Sequence, residues 1–446
     1  MVQFAKDRGL KYIQDEIFNV VIYKPASPGF EDHPGVIIQA HMDMVCEKVP
    51  ESTHNFETDP LELYVEGDHL RAKGTSLGAD DGMGCAYMLA ILNDNNLSHP
   101  YLECCFTTQE EVGLAGALAL KPEYFKARQL INLDGAGEYR TYVSMGGGKR
   151  IAIRKKVNYI PVDLPSYRLR INGLLGGHSG GMIDKERANA NKLAARVMYR
   201  FLQKGIHCQL INFNGGTKGN VIANSAEIIF TSQTDFRDIQ AVLNTCSEDI
   251  SKDYEFSDPG IALRITREPS PAARAMPRKL SQDIIELLYL LPYGVKARSV
   301  VLENLPIASI NLGIVATHED TVEIVESVRS ALDSWFYELE NEVILLAKIY
   351  EATCELSDSY PGWKYEKNSP LRDKMCTAFQ EMYNQPLACL GGHGGNECGV
   401  FKKMHPDMDI VTSGAIYGSI HSTDEFLDLA SFDRSYKFLT FFLEKL

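Results

Sequence analysis

Several short hydrophobic segments of this chain run directly into histidine or acidic residues, which constrains the fold more than any other feature. VIIQAHMD ends at His41 and Asp43, LECCFTTQEE ends at Glu110 and Glu111, and QLINLDGAGE carries Asp134. Segments of this length, rich in β-branched and other apolar residues, are typical of strands. Because open α/β sheets bind ligands at the ends of their strands, these polar side chains predict one shared site.

Two glycine-rich or small-residue segments add the same residue types. GTSLGADDGMG carries Asp80 and Asp81, and IYGSIHSTDE places His421 in a loop. Two histidines with several carboxylates suit divalent metals such as zinc or manganese. The sequence therefore predicts a metal site made from His41, Asp80, Glu110, Glu111, Asp134 and His421.

Composition narrows the class of protein. The chain has 446 residues, 45% hydrophobic and 23% charged, which predicts a globular protein of two or three domains. Its net charge of −14 argues against nucleic acid as a partner. We expect no membrane partner and a cytoplasmic location, since no apolar run approaches the length of a membrane-spanning helix and the N-terminus lacks a hydrophobic signal core. Ten cysteines without regular spacing indicate reduced thiols.

The order of predicted elements indicates an α/β fold with an insertion. Strands and helices alternate at both ends of the chain, which predicts a mostly parallel sheet with helices on both faces. The middle region reads as an α+β domain, ferredoxin-like and duplicated. We expect one discontinuous domain, 1–150 with 353–446, interrupted by a lid domain at 151–352. Ser431 is the expected N-cap of the last helix.

Each candidate has a structural alternative. In an extended segment Asp43 can reach the ring nitrogen of His41 that binds no metal, although a surface His near an acid is common. Asp80 can bridge two cations, or the acidic pair can simply cap a helix. One residue of the Glu110–Glu111 pair can bind metal while the other acts as a general base, or both can be solvated charges.

The middle region carries candidates for substrate contacts. His178, in GLLGGHSGG, can polarise a substrate carbonyl or can be a buried structural histidine. Asn220 and Arg329 are candidates for substrate binding, because Arg holds a carboxylate in bidentate fashion; structural roles are the alternative. The HGGNECG segment, with His393, Glu397 and Cys398, is expected to shape a pocket wall rather than bind metal.

Taken in chain order, the motifs H-M-D, G-A-D-D-G, Q-E-E-x-G, N-L-D, G-G-H-S-G-G, H-x-G-x-E-C-G and G-S-I-H resemble the dinuclear metallopeptidase family of carboxypeptidase G, aminoacylase and carnosinase. The resemblance covers essentially the whole chain. It implies a dimetal peptidase domain and hydrolysis of dipeptides or short peptides, of the Xaa-His type, by a water activated on two divalent metal ions. Zinc is the expected metal, and manganese or cobalt also fit.

The resemblance also implies the role of each residue. Asp80 should bridge the two metals, with His41 and Asp134 on one and His421 and Glu111 on the other. The general base should be Glu110, with Asp43 orienting His41, a cis peptide between Asp80 and Asp81, and His178 meeting the carbonyl oxygen. Alternatives are an aminoacylase or other amidohydrolase acting on N-acyl amino acids, and a non-catalytic metal- or peptide-binding relative. A monomer or a homodimer is expected.

Two departures from the family pattern stand out. The resemblance implies a further helical segment ahead of FAKDRGLKY, so part of the sheet is expected to be uncovered, or Met1 is not the true start. The segment NGGTKGNVIAN has Gly219, Ala223 and Asn224 where the resemblance implies an arginine and a Pro-Arg pair. Substrate preference is therefore less constrained than reaction type.

Overall fold

The computed structural model describes all 446 residues, and close contacts divide them into two compact units. The first unit comprises Met1–Met145, Tyr360–Gly391 and Asn396–Leu446, and the second comprises Gly146–Ser359 and Gly392–Gly395. The domain boundaries near residues 150 and 352 stay a prediction.

The first unit is built on a six-stranded sheet. Its elements in chain order are α1 (Val2–Asp7), β1 (Lys11–Gln14), β2 (Val20–Lys24), β3 (Val36–His41), β4 (Leu63–Glu66), β5 (His69–Ala72), α2 (Ala79–Asn93), β6 (Leu102–Thr107), α3 (Ala115–Ala119), β7 (Gln129–Asn132) and β8 (Arg140–Met145). A short 3-10 helix lies at Pro122–Tyr124.

The second unit is built on a nine-stranded sheet. Its elements are β9 (Gly147–Lys156), β10 (Ile160–Leu164), β11 (Ser166–Asn172), β12 (Gly177–His178), α4 (Ser179–Met182), α5 (Ala190–Gln203), β13 (Gln209–Gly215), β14 (Val221–Ile222), β15 (Ala226–Thr231), α6 (Phe236–Asp253), β16 (Ala262–Arg267), β17 (Ala272–Ala275), α7 (Arg278–Leu290), β18 (Gly294–Arg298), β19 (Pro306–Thr317), β20 (Thr321–Ser330), α8 (Asp333–Ile349) and β21 (Thr353–Tyr360). A 3-10 helix lies at Ile183–Lys185.

The chain then completes the first unit. These last elements are α9 (Pro370–Tyr383), β22 (Ala388–Gly392), α10 (Cys398–Met404), β23 (Asp409–Thr412), β24 (Tyr417–Gly418), β25 (Phe426–Asp428) and α11 (Leu429–Leu443). The six-stranded sheet has the order β1-β2-β6-β3-β7-β23, and the pairs β6–β3, β3–β7 and β7–β23 are parallel. The prediction of a mostly parallel sheet is confirmed.

Helices pack on both faces of this sheet. Strands β3 and β6 are buried along their whole length, as central parallel strands usually are. Successive residues alternate between two cores: Cys104 packs with residues of α2, α9 and α11, whereas Cys105 packs with residues of α3 and α10. Neighbouring side chains of a strand point to opposite faces of the sheet, so helices pack on both faces, as predicted.

The second unit has a different architecture. Its sheet runs β16-β11-β15-β13-β19-β20-β9-β21, with β18 beside β19, and its inner pairs are antiparallel. One face packs against α5, α6, α7 and α8 in a single core. Helix α5 is amphipathic, and the side chain of Asn189 caps it by accepting the N–H groups of Asn191 and Lys192.

One detail of the predicted elements is wrong. The last helix begins at Leu429, and its N-cap is Asp428, whose carboxylate accepts the N–H of Ser431. Ser431 instead lies inside the first turn, because strand β25 runs directly into the helix, and its hydroxyl accepts the N–H of Ile416. Among the eleven α-helices, none combines the length and the hydrophobicity needed to span a bilayer.

Candidate metal centre

The parallel strands bring three predicted ligand segments to one edge of the first unit's sheet. His41 is the last residue of β3 and pairs with Thr107, the last residue of β6, three positions before Glu110. Gln39 pairs with Asn132 at the end of β7, two positions before Asp134. Because the strands run in the same direction, their C-terminal ends carry these side chains into one place.

The segment that carries Asp80 is shaped by glycine. Gly78 has a φ of +74°, in the left-handed region, and a Cβ there would lie 2.8 Å from Sδ of Met44. A Cβ at Gly84 would lie 2.6 Å from a carboxylate oxygen of Asp81. The peptide between Asp80 and Asp81 is cis, as the resemblance implies. The GADDGMG pattern thus allows a tight entry into α2, with Asp80 in its first turn.

Asp80 stands between the two predicted histidines. Its Oδ1 lies 3.1 Å from Nε2 of His41, and its Oδ2 lies 3.5 Å from Nε2 of His421. Nε2 of His421 also lies 2.9 Å from Oε1 of Glu111. Each oxygen of one carboxylate therefore faces a different histidine, which is the arrangement that a bridging ligand requires.

The donor atoms form three overlapping groups. In each group the ligand atoms lie within 4.8 Å of one another: His41 with Asp80 and Asp134, Asp80 with Glu111 and His421, and His41 with Glu110 and Glu111. The first two groups share only Asp80. The sequence-based pairing of His41 with Asp134, and of His421 with Glu111, has the same composition as these two groups.

The donor set fits two divalent cations. Each group offers one imidazole nitrogen and carboxylate oxygens, which are ligands of zinc, manganese and cobalt. Burial raises the pKa of Asp134 well above its usual range, and the neighbouring charge of Asp80 raises it further. A cluster of buried acids of this kind is relieved by positive charge, so the residues present suit bound cations.

The histidines respond to the same carboxylates. Burial opposes a charge on His41, but hydrogen bonds to Asp43 and Asp80 raise its pKa well above the usual range. Hydrogen bonds to Asp80 and Glu111 raise the pKa of His421 to about 10. Burial acts against ionisation of Asp80, yet hydrogen bonds from His41 and His421 lower its pKa.

Asp43 faces Nδ1 of His41 with both its backbone carbonyl and its carboxylate. Nδ1 of His41 lies 2.9 Å from the backbone carbonyl oxygen of Asp43, and the Asp43 carboxylate is farther away, at 3.7 Å. The carboxylate accepts the backbone N–H groups of Glu110 and Glu111, at 3.0 and 3.1 Å. The chain turns directly after β3, which brings the carbonyl closer than the side chain.

Glu110 lies beside His41 and Glu111, and burial raises its pKa to about 8. The nearby carboxylates of Glu397 and Glu111 contribute to this rise in the pKa, and His41 opposes it. A carboxylate in this position can both accept and return a proton.

Two residues that the sequence does not single out contact Asp134. Nδ2 of Asn396 donates to Oδ2 of Asp134 at 3.0 Å, and the hydroxyl of Tyr417 donates to Oδ1 at 3.5 Å. Glu397 is not in any ligand group; it accepts from Gln39 and Thr107, and burial raises its pKa to about 7. Nothing local in HGGNECG signals the Asn396 contact, since its partner is far away in the chain.

The remaining candidates lie in the second unit, where the structure brings them together. Nη2 of Arg329 lies 3.2 Å from Nε2 of His178, and the neighbouring Ser179 donates its N–H to the backbone carbonyl of Asn220. Arg329 is buried, and its Nε donates to the Ser179 hydroxyl. His393 also belongs to this unit and lies 2.6 Å from the hydroxyl of Ser309. Cys398 is a buried free thiol in the first unit.

Comparison with known proteins places this geometry in a family. The model of peptidase family M20/M25/M40 matches residues 37–445. The chain is 33% identical to the cytosol non-specific dipeptidase of Escherichia coli K12, covering 100% of this chain and 92% of that protein.

Solved structures agree with this placement. The aminoacylhistidine dipeptidase from Vibrio alginolyticus superposes with a TM-score of 0.91 at 31% identity, covering 100% of this chain and 91% of that one. Aminopeptidase PepT from Bacillus cereus shares the fold, with a TM-score of 0.54 at 17% identity over 100% of this chain and 91% of that one. The chain belongs to peptidase family M20/M25/M40.

Proposed function

We propose that the protein is a dipeptidase that uses two divalent metal ions, with zinc as the expected metal. The observation that carries the proposal is Asp80, whose two oxygens face His41 and His421 separately, at 3.1 and 3.5 Å. The similarity to two dipeptidases over the whole chain supports the substrate class. His41, Asp80 and Asp134 would hold one cation, and Asp80, Glu111 and His421 the other.

Bound cations would act as Lewis acids on the peptide carbonyl and lower the pKa of a water molecule. Glu110 takes a proton from that water as its oxygen attacks the carbonyl carbon. The carbon–nitrogen bond then breaks, and Glu110 returns the proton to the leaving amine. Asp43 holds the Glu110 and Glu111 backbone through two N–H groups and so keeps the base in place.

We assign the second-unit candidates to substrate. Arg329 is buried and lies beside His178, so its guanidinium can bind the free carboxylate of a dipeptide. His178 donates a hydrogen bond to the carbonyl oxygen as negative charge develops there. Asn220 supports this segment through its backbone carbonyl, which accepts the N–H of Ser179.

The test separates peptidase from acylase chemistry. Zinc-loaded protein is given dipeptides with a free amino group, including β-alanyl-histidine, and in parallel N-acetyl amino acids. The proposal predicts release of free amino acids from the dipeptides. Cleavage of N-acetyl amino acids alone would assign the protein to the amidohydrolases, and cleavage of neither by metal-loaded protein would contradict an enzymatic role.

A further inference from the structure

Glu425 is a buried carboxylate that no catalytic role accounts for. Its side chain is 3% exposed and lies in the loop between His421 and strand β25. Both of its oxygens face backbone N–H groups at the entry to α2. Oε2 accepts from Leu77 and Gly78 at 2.7 and 2.9 Å, and Oε1 accepts from Ala79 and Asp80 at 2.8 and 3.4 Å.

These four contacts join two segments that are distant in the chain. One segment presents Asp80, and the other presents His421 four residues before Glu425. The side chains of these two residues meet at 3.5 Å, from Oδ2 of Asp80 to Nε2 of His421. Glu425 thus links the backbone that presents the shared carboxylate to the loop that presents one of its histidines.

His421 needs an anchor of this kind more than the other ligands do. Its side chain is 45% exposed, against 1% for His41 and 12% for Glu111, so packing restrains it least. Its backbone is also in the left-handed region, with a φ of +59°. The chain is held on both sides of Glu425: Arg71 donates to the carbonyl of Asp424 just before it, and β25 just after it pairs with β5.

We propose that Glu425 is a positioning residue for the second cation site, the one formed by Asp80, Glu111 and His421. This inference rests on the proposed dinuclear centre. A carboxylate only accepts hydrogen bonds, so it satisfies four converging N–H donors without conflict. In Glu425→Gln one oxygen becomes an NH₂ group that points at two of these donors, and the Asp80 segment moves away from His421.

Glu103 provides a matched control. It is also a fully buried glutamate that accepts backbone N–H groups, from Lys126 and Ala127. It lies near the start of β6, whereas the metal groups lie beyond the opposite end of that strand. Glu103→Gln therefore makes the same chemical change in the same unit without touching the ligand segments.

The experiment is a competitive titration of metal-free protein with zinc against a chromophoric chelator, with thermal unfolding of the metal-free variants beside it. We expect two tight equivalents for the unmodified protein and for Glu103→Gln. In Glu425→Gln one equivalent should bind ~10–100-fold more weakly, the usual effect of losing a group that orients a ligand. In a protein that already carries His421→Ala, adding Glu425→Gln should weaken zinc binding by less than about 3-fold more, because the linkage acts through His421.

The outcomes are distinguishable. Two tight equivalents in Glu425→Gln would overturn this inference and leave the dinuclear centre intact. Equal weakening in Glu425→Gln and Glu103→Gln would also overturn it, because loss of any buried carboxylate would then suffice. If Glu425→Gln is unfolded without metal, Glu425→Asp replaces it, and unchanged binding there would count against the inference. If the unmodified protein binds no pair of cations, the proposed function itself fails.

Discussion

Oδ1 of Asp43 accepts the backbone N–H of Glu110 at 3.0 Å. The other oxygen of the same carboxylate accepts the N–H of Glu111 at 3.1 Å. One side chain two residues after a metal-ligand candidate thus holds the backbone of both the proposed base and a proposed ligand. His41 itself is held by the Asp43 backbone carbonyl, so the segment His41–Asp43 organises two parts of the centre at once.

We expect Asp43→Asn to lower kcat by ~10–100-fold, because one amide nitrogen would face an N–H donor and shift Glu110. Steady-state kinetics on a dipeptide measures this change. The control is Asp59→Asn, which alters an exposed aspartate that accepts one backbone N–H from Asn55. Equal kcat values for Asp43→Asn and the unmodified protein would show that the two backbone contacts do not matter to the base.

Glu110→Gln and Glu111→Gln form a matched pair at adjacent positions. We expect Glu110→Gln to lower kcat by ~10²–10⁴-fold while both zinc equivalents still bind, because only the proton acceptor is lost. In Glu111→Gln we expect weaker binding of one zinc equivalent, because a ligand is lost. Kinetics and zinc titration of both variants decide the assignment, and the reverse pattern would exchange the two roles.

Asn396 should contribute to metal affinity although it is not a ligand. In Asn396→Ala the hydrogen bond to Oδ2 of Asp134 is lost, and we expect ~10-fold weaker binding of one zinc equivalent. Competitive zinc titration measures this, with Asn93→Ala as the control, since Asn93 only accepts a hydrogen bond from Arg8 at the end of α2. Unchanged zinc binding in Asn396→Ala would show that Asp134 needs no orienting partner.

The buried side chain of Glu326, which is not among the metal-ligand candidates, should make the stability of the protein depend on pH. It is fully buried in the second unit, neither carboxylate oxygen has a hydrogen-bond partner, and burial raises its pKa from 4.5 to about 8. The folded state therefore holds a proton that the unfolded chain releases above pH 4.5. The stability from this proton is complete below pH 4.5 and is lost as the pH rises through about 8.

Glu326→Gln removes this titration. We compare the free energy of unfolding of the variant with that of the unmodified protein at each pH. One pKa unit corresponds to about 1.4 kcal/mol, so this difference should favour the variant at pH 9 by at least that amount more than at pH 5. Urea unfolding of metal-free protein at both pH values measures it. The same difference at pH 5 and pH 9 would show that Glu326 ionises normally in the folded state.

Much of the first unit could be predicted from the sequence because its signals are local. Strands such as VIIQAH are mostly apolar and are buried up to the ligand, and the chemistry of each ligand segment is visible in a few residues. The division of His41, Asp80, Asp134, Glu111 and His421 into two groups was predicted from a resemblance, because spacing along the chain cannot show which side chains meet.

The sequence is a poor guide where contacts with distant residues or with the backbone determine the local structure. Asp428, and not Ser431, is the N-cap of the last helix, because the pairing of β25 with β5 sets where that helix begins. The Asp43 carboxylate accepts the Glu110 N–H, and the turn after β3 brings the Asp43 backbone carbonyl closer to the His41 ring than this carboxylate. Glu425 and Asn396 act on ligands in other segments, and no pattern within their own segments reveals those partners.

The most direct test of the dinuclear dipeptidase account is the rate of dipeptide hydrolysis as zinc is returned to chelator-stripped protein. The account predicts no activity without metal and a rise that levels off at two equivalents of zinc per chain. Glu110→Gln should stay inactive throughout while binding the same zinc. Full activity in the stripped protein, or no activity at any zinc ratio although two equivalents bind, would contradict the account.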